Sequence, residues 1–127
     1  LADYSNHKIL RAEVATGAVS SVAGSGEEGD ADGMGDAAQF NGPYGVTISP
    51  DGSALFVADS GNLSPDGSAL FVADYKIRRV EVATGAVTAI AGSGGNGDAD
   101  GVGDAAQFGE PRGLTISPDG SALFVAD

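Results

Sequence analysis

Apolar positions along this chain fall into short runs, each closed by glycine or a polar turn, and none keeps helical spacing for long. Gly45-Val46-Thr47-Ile48-Ser49 is β-branched and ends at Pro50-Asp51-Gly52, where Pro and Gly suit a tight turn. Ala54-Leu55-Phe56-Val57-Ala58 is continuously apolar and reads as a strand buried on both faces. Lys8 to Val14 mixes polar and apolar residues, as a strand nearer a rim would, and Ala15-Thr16-Gly17 turns the chain into Ala18–Ala23. A long glycine-rich loop, Gly24 to Pro43, leads to the next β-branched run. Each unit thus holds four antiparallel strands: inner (at Val46), second (Leu55), third (Ile9) and outer (Val19).

The unit recurs. Glu13–Asp59 aligns without gaps to Glu81–Asp127 at an offset of 68, with 37 of 47 positions identical. Changes on the strands are mild (Val22 to Ile90, Val46 to Leu114), while the loops drift further (Glu27-Glu28 to Gly95-Asn96, Tyr44 to Arg112). Repetition of four-stranded sheets is the sequence form of a β-propeller. The expected fold is therefore all-β, with propeller blades made of four-stranded antiparallel sheets, a partial propeller of about two to three blades. The whole of 1–127 is one repeat array, with units at about 1–59 and 64–127 and an irregular junction at 60–76.

Ala58-Asp59-Ser60-Gly61-Asn62, Lys8-Ile9-x-Arg11 and Ala15-Thr16-Gly17-Ala18-Val19 resemble the NHL repeat. So does the loop from Gly29 through Ala31-Asp32-Gly33, Phe40 and Pro43 to Gly45, repeated from Gly97 to Gly113 with Asp100-Gly101, Phe108 and Pro111. The resemblance implies a toroid of about six blades, often a platform for protein or glycan contacts. A minority of the family are lyases with metal-binding histidines, and some relatives bind RNA through a basic face. Neither pattern transfers: His7 is the sole histidine, and six Lys and Arg stand against eighteen Asp and Glu. A net charge of −12 repels phosphate backbones, so nucleic acid is not an expected partner. No apolar stretch reaches the length of a membrane span, and no membrane insertion is expected. Absence of cysteine removes disulfides and thiolate metal sites.

The strongest chemical motif is the acidic loop. Glu28-x-Asp30-x-Asp32-Gly33 and Asn96-x-Asp98-x-Asp100-Gly101 place oxygens at alternate positions before a glycine, as a calcium loop does. The twelfth position, however, is a neutral Gln39 or Gln107 instead of a bidentate Glu, so turn-forming Asp-Gly pairs account for the motif better. Glu27, Glu28, Asp30, Asp32 and Asp36 could be read as paired acid–base carboxylates, but a wet glycine-rich loop offers nothing to raise one pKa selectively. His7 reads as a surface turn residue, since a lone histidine makes no zinc site. Gly24-x-Gly26 lacks the strand–helix context of a phosphate loop. Lys8, Arg11, Lys76, Arg78 and Arg79 are expected to pair with Glu13 and Glu81 on a solvated sheet edge. No catalytic, cofactor-binding or metal-binding residue is expected.

At the junction, Ser49–Asp59 (SPDGSALFVAD) recurs at Ser64–Asp74 after four residues, and again at Ser117–Asp127. Tyr75-Lys76 stands where Tyr4–Lys8 would, a loss of three residues. Either the polypeptide carries a spare strand, or about one blade is missing between Asn62 and Leu63; the second is the better fit to a regular propeller. It would place strand 69–74 beside Ile77–Val82, in a different blade from Ala54–Asp59.

The expected function is a non-catalytic module for protein or glycan binding, or for structural scaffolding. Its setting would be a larger extracellular or cell-surface assembly, and further copies or blades would complete the ring. The alternative is a fragment of a propeller-type lyase whose metal-binding histidines lie outside this sequence.

Overall fold

The computed structural model describes residues 1–60 and 75–127, and within them the chain is all-β, built of antiparallel propeller-type blades. The order is β1 (Ala2–Asp3), β2 (Lys8–Ala12), β3 (Val19–Ala23), β4 (Gly33–Met34), β5 (Pro43–Ile48), β6 (Ala54–Asp59), β7 (Lys76–Glu81), β8 (Ala86–Ala91), β9 (Gly113–Ile116) and β10 (Leu123–Ala126). Three-residue 3-10 turns at Tyr4–Asn6, Gly35–Ala37 and Gly103–Ala105 are the only helical elements among the described residues.

The strands form three sheets: β1-β2-β3, β4-β8-β7-β6-β5 and β10-β9. The central sheet is a whole blade, inner strand β5 to outer strand β8. The first sheet supplies the outer part of one blade and the last sheet the inner part of another. The long loop adds an element the hydrophobic pattern does not predict. Gly33 and Met34 pair with Val87 and Ala86, forming a short fifth strand along the outer edge of the next blade. That strand covers an edge that would otherwise present unpaired backbone groups.

Local chemistry closes each hairpin. Asp51 accepts hydrogen bonds from Ser49 Oγ (2.6 Å) and from Ser53 N (3.0 Å), and Gly52 sits at a φ of +74°, which glycine adopts without steric cost. Asp119 repeats this arrangement with Ser117 and Ser121. The core gathers Ile9, Ala23, Ala38, Phe40, Val57, Val80 and Val87, drawn from two blades and from the loop that joins them. Gly24 and Gly92 mark where each loop crosses the start of a third strand. A Cβ on Gly24 would lie 2.4 Å from the carbonyl oxygen of His7, and one on Gly92 2.3 Å from that of Tyr75, so only glycine fits.

These contacts correct the junction. Tyr75 occupies the place of His7, and Lys76 that of Lys8, so β7 follows β2 in its contacts, while the residues that carry the three-residue loss lie outside the described ones. Strand β7 pairs with β6 over six residues, from Ala54↔Glu81 to Asp59↔Lys76, and with β8 on its other side. Ala54–Asp59 and Ile77 onward therefore share one blade, against the expectation that a blade separates them. The bond between Asn62 and Leu63, and strand 69–74, lie outside the described residues.

A second correction concerns burial. Strand β6 is well covered, with Val57, Ala58 and Asp59 at 0% exposure, as expected for a second strand. Strand β10 has the same sequence but is not: Phe124 is 63% exposed. Among the described residues no third strand lies beside it.

Candidate functional site

The most heavily built polar cluster centres on Arg78, whose side chain is fully buried. Strand β7 projects it inward beneath the Gly24–Pro43 loop. Its Nη2 donates to Asp32 Oδ1 at 2.6 Å and to the Ala31 carbonyl at 3.2 Å. Its Nη1 donates to the Gln39 carbonyl at 3.2 Å and reaches Asp59 Oδ2 at 3.4 Å. The guanidinium also lies 5.4 Å from the centroid of the Phe40 ring. Asp59 is itself fully buried and accepts from Asn41 N at 2.8 Å. One cation thus ties both ends of the loop to the middle of the blade. Burial makes this pair expensive to break, because the partner left behind would be an uncompensated buried charge.

The cluster overturns the reading of Arg78 as a residue on a solvated edge. Its twin position in the first repeat is Leu10. A charged residue where the twin is apolar was the available sign that this position faces inward and needs a carboxylate. Arg11 pairs with Glu13 at 2.5 Å and Arg79 with Glu81, as expected of solvated strands, whereas Lys76 turns to Asp30 of the loop.

The acidic loop finds its counter-charges within the chain. Lys76 Nζ binds Asp30 Oδ2 at 3.0 Å, and this hydrogen bond holds the Asp30 carboxyl below its ordinary pKa. Asp32 is taken by Arg78 and also accepts from Ala89 N at 3.3 Å. Two of the three carboxylates of the first loop motif, Asp30 and Asp32, are therefore engaged by strands of the central blade. Gln39 folds back over Gly29, whose Cβ would lie 2.5 Å from the Gln39 amide oxygen, so the glycine is what admits the amide. His7 takes the left-handed conformation expected of a turn (φ +52°). Its Nδ1 accepts a hydrogen bond from Gly42 N at 3.2 Å, a tie to the next loop that the sequence does not announce.

Two of the surface grooves among the described residues lie along the inner and second strands. The first, about 300 Å³, runs between the Pro50–Ser53 turn of the central blade and the Asp119-Gly120 turn of the next. Asp51, Asp119, Phe56, Arg79 and Ile116 line it. Both aspartates are held down to about 2, first by the serine hydroxyls of Ser49 and Ser117 and then by backbone N–H groups. They stay ionised over any ordinary pH, which suits charge complementarity and not proton transfer. The second groove, about 390 Å³ and mostly apolar, lies on the open face of β9 and β10, lined by Leu114, Thr115, Phe124 and Val125. Among the described residues, no group of three or more His, Cys, Asp or Glu side chains is placed to hold a metal ion. Nor is any helix there long and apolar enough to cross a membrane.

No protein-family model matches the chain. It is 36% identical over 100 residues to NHL repeat-containing protein 2 of Bos taurus, and 36% identical over 103 residues to that of Homo sapiens. In both cases the match covers 78% of this chain and 12% of the relative. It is also 36% identical over 99 residues to the Arabidopsis thaliana protein SUPPRESSOR OF QUENCHING 1, chloroplastic, covering 78% of this chain and 8% of that protein. The chain spans about a tenth of the length of these curated relatives. Among solved structures, a Bacteroides thetaiotaomicron protein of unknown function superimposes with a TM-score of 0.80 at 21% identity, over 99% of this chain and 28% of that one. An auxiliary nutrient binding protein of the same organism gives 0.72 at 22% identity, over 96% of this chain and 30% of that one. These structural likenesses carry the fold.

Proposed function

We propose that the chain is a segment of an NHL-repeat β-propeller that serves as a non-catalytic binding or scaffolding module for protein or carbohydrate ligands. The repeat unit, its loop motif and the 36% identity to NHL repeat-containing protein 2 support the family reading. The observation that carries the functional reading is the groove between the two SPDGS turns. It sets a ring face (Phe56), a guanidinium (Arg79) and two permanently charged carboxylates (Asp51, Asp119) along one seam between blades. Apolar surface with a few oriented polar groups is what a peptide or a sugar chain requires of a binding seam. The name of one structural neighbour, an auxiliary nutrient binding protein, agrees with a binding role. The lyase alternative depends on histidines that this sequence does not contain.

Immobilised oligosaccharide and peptide arrays probed with the chain test the reading. Binding that falls at least tenfold in Phe56→Ala and Arg79→Ala, while the circular dichroism of both variants is unchanged, is the expected result. Binding indifferent to both substitutions would remove the seam as the site. An acidic surface is compatible with an extracellular or cell-surface setting, whereas one relative is by name chloroplastic. Cell fractionation with an antibody against this segment decides the compartment.

A further inference from the structure

We propose that the exposed Asn96–Gly97 step, in the loop between β8 and β9, is a modification site at which the asparagine loses ammonia through a cyclic imide and becomes an aspartyl or isoaspartyl residue.

The fold demands the glycine and leaves the residue before it open to change. A Cβ on Gly97 would lie 2.5 Å from the Gln107 amide oxygen, as one on Gly29 would from that of Gln39, so both loops need glycine here. The preceding residue is under no such demand: it is Glu28 in the first loop and Asn96 in the second. Both are exposed. Glu28 is exposed although the whole central blade stands beside its loop, so exposure is a property of the loop itself. Glycine carries no side chain that could shield its own backbone nitrogen, and that nitrogen is the attacking atom.

The chemistry needs only the chain and water. Gly97 N gives its proton to a solvent base and bonds to Asn96 Cγ. The Cγ–Nδ2 bond breaks, and Nδ2 takes up a proton and leaves as ammonia. Water then opens the imide. Cleavage between Cγ and Gly97 N leaves aspartate. Cleavage between the Asn96 carbonyl carbon and Gly97 N leaves isoaspartate, with the main chain rerouted through Cγ.

Two hydrogen bonds must open first, and they set the rate. Gly97 N donates to the Phe108 carbonyl and Asn96 Nδ2 to the Gly109 carbonyl, each at 3.1 Å. Both belong to the isolated bridge Asn96↔Phe108, which has no ladder on either side to hold it and opens at low cost. Modification removes the second bond for good, because a carboxylate cannot donate to the Gly109 carbonyl. The loop end released in this way leads through Pro111 to Arg112, whose carbonyl packs against Gly45 of the central blade.

Asn41–Gly42 is the same dipeptide in the opposite setting. Asn41 is 2% exposed, and its N–H donates to the buried Asp59 carboxylate at 2.8 Å. Gly42 N donates to His7 Nδ1 at 3.2 Å, and the Tyr4 ring lies where a Cβ on Gly42 would stand, 2.8 Å from Cε2. Freeing this nitrogen means disturbing the Asp59–Arg78 cluster. Tertiary structure thus separates two steps that are identical in sequence.

The 127-residue chain, aged in mildly alkaline buffer and digested with trypsin, tests the site by peptide mass spectrometry. Peptide Val80–Arg112 holds Asn96 as its only asparagine, and fragmentation places conversion at Asn41 within Ala12–Lys76. In the folded chain Asn96 should convert at least about tenfold faster than Asn41, the ratio reflecting their difference in opening free energy. Val80–Arg112 should yield two isomeric products of equal mass. In urea the two steps should convert at equal rates. Asn96→Gln should abolish conversion in Val80–Arg112 and leave Asn41 unchanged, while Asn96→Asp should keep the circular dichroism of the parent, since the twin position already carries Glu28. Equal rates in the folded chain would overturn the proposal. So would an intact Asn96 after a time in which the urea-unfolded chain converts, or ammonia loss that persists in the Asn96→Gln peptide.

Discussion

The heptapeptide Ser-Ala-Leu-Phe-Val-Ala-Asp occurs three times, and its two copies among the described residues, Ser53–Asp59 and Ser121–Asp127, differ only in what surrounds them. Both pair with an inner strand in equivalent register, Ile48↔Leu55 in one and Ile116↔Leu123 in the other. Beyond that they part. The first copy is flanked by β7 and buried, its aspartate locked against Arg78. The second has no third strand beside it among the described residues and an exposed phenylalanine, and its aspartate accepts from Gly109 and Glu110 N–H groups at 2.7 to 2.9 Å. Strand formation here is local, whereas burial and charge pairing belong to the neighbour.

Matched substitutions at the twin positions can break or sharpen this contrast, and the largest difference is expected at the aspartates. Asp59→Ala takes one of two carboxylates from Arg78 and orphans the buried Asn41 N–H, and should cost about 2–3 kcal/mol in urea unfolding. Asp127→Ala loses exposed hydrogen bonds and should cost about 1 kcal/mol. Equal losses at the two positions would mean that Arg78 does not distinguish the copies.

The glycines come next. Gly45→Ala drives a methyl group into the Arg112 carbonyl and should destabilise by about 1–3 kcal/mol. Gly113→Ala should leave unfolding of the single chain within about 0.5 kcal/mol. A smaller contrast is expected at the valines. Val57→Ala empties a fully buried site at a cost of about 1.5–2 kcal/mol, set by the methyl groups lost, and Val125→Ala should cost less than half of that. Thermal melts of the pair check it.

The smallest effect falls where the twins agree. Asp51 and Asp119 are both held at about 2 by serine hydroxyls and backbone N–H groups, below the ordinary value of 3.8. A depressed folded-state pKa contributes stability above the unfolded value, and that contribution fades as pH falls from about 4 through about 2. Asp51→Asn and Asp119→Asn should each flatten the acid limb of the unfolding curve by similar small amounts. A marked inequality would show that the turns differ beyond their sequence.

Much of the blade is legible in the amino-acid sequence. The SPDGS hairpins, the strand runs at Val46, Leu55, Ile9 and Val19, and the loop between blades follow from apolar runs and turn chemistry that act within a few residues. The seam between the turns is not legible there, because Arg79 and Asp119 meet only when two blades pack side by side. Nor is the Arg78 cluster, which joins residues 46 and 19 positions apart. Arg78 and Leu10 occupy the same place in the repeat, yet one requires two carboxylates and the other none.

The amino-acid sequence by itself determined the all-β repeat, the blade units and their turns, since glycine conformation, Asp–Ser hydrogen bonding and strand propensity are properties of short segments. Tertiary structure alone decided which copy of an identical strand is interior, where the loop's negative charge is neutralised, and that Gly33–Met34 adds a fifth strand. Each of these depends on which distant backbone lies within a few ångströms, and identical local sequence cannot carry that information.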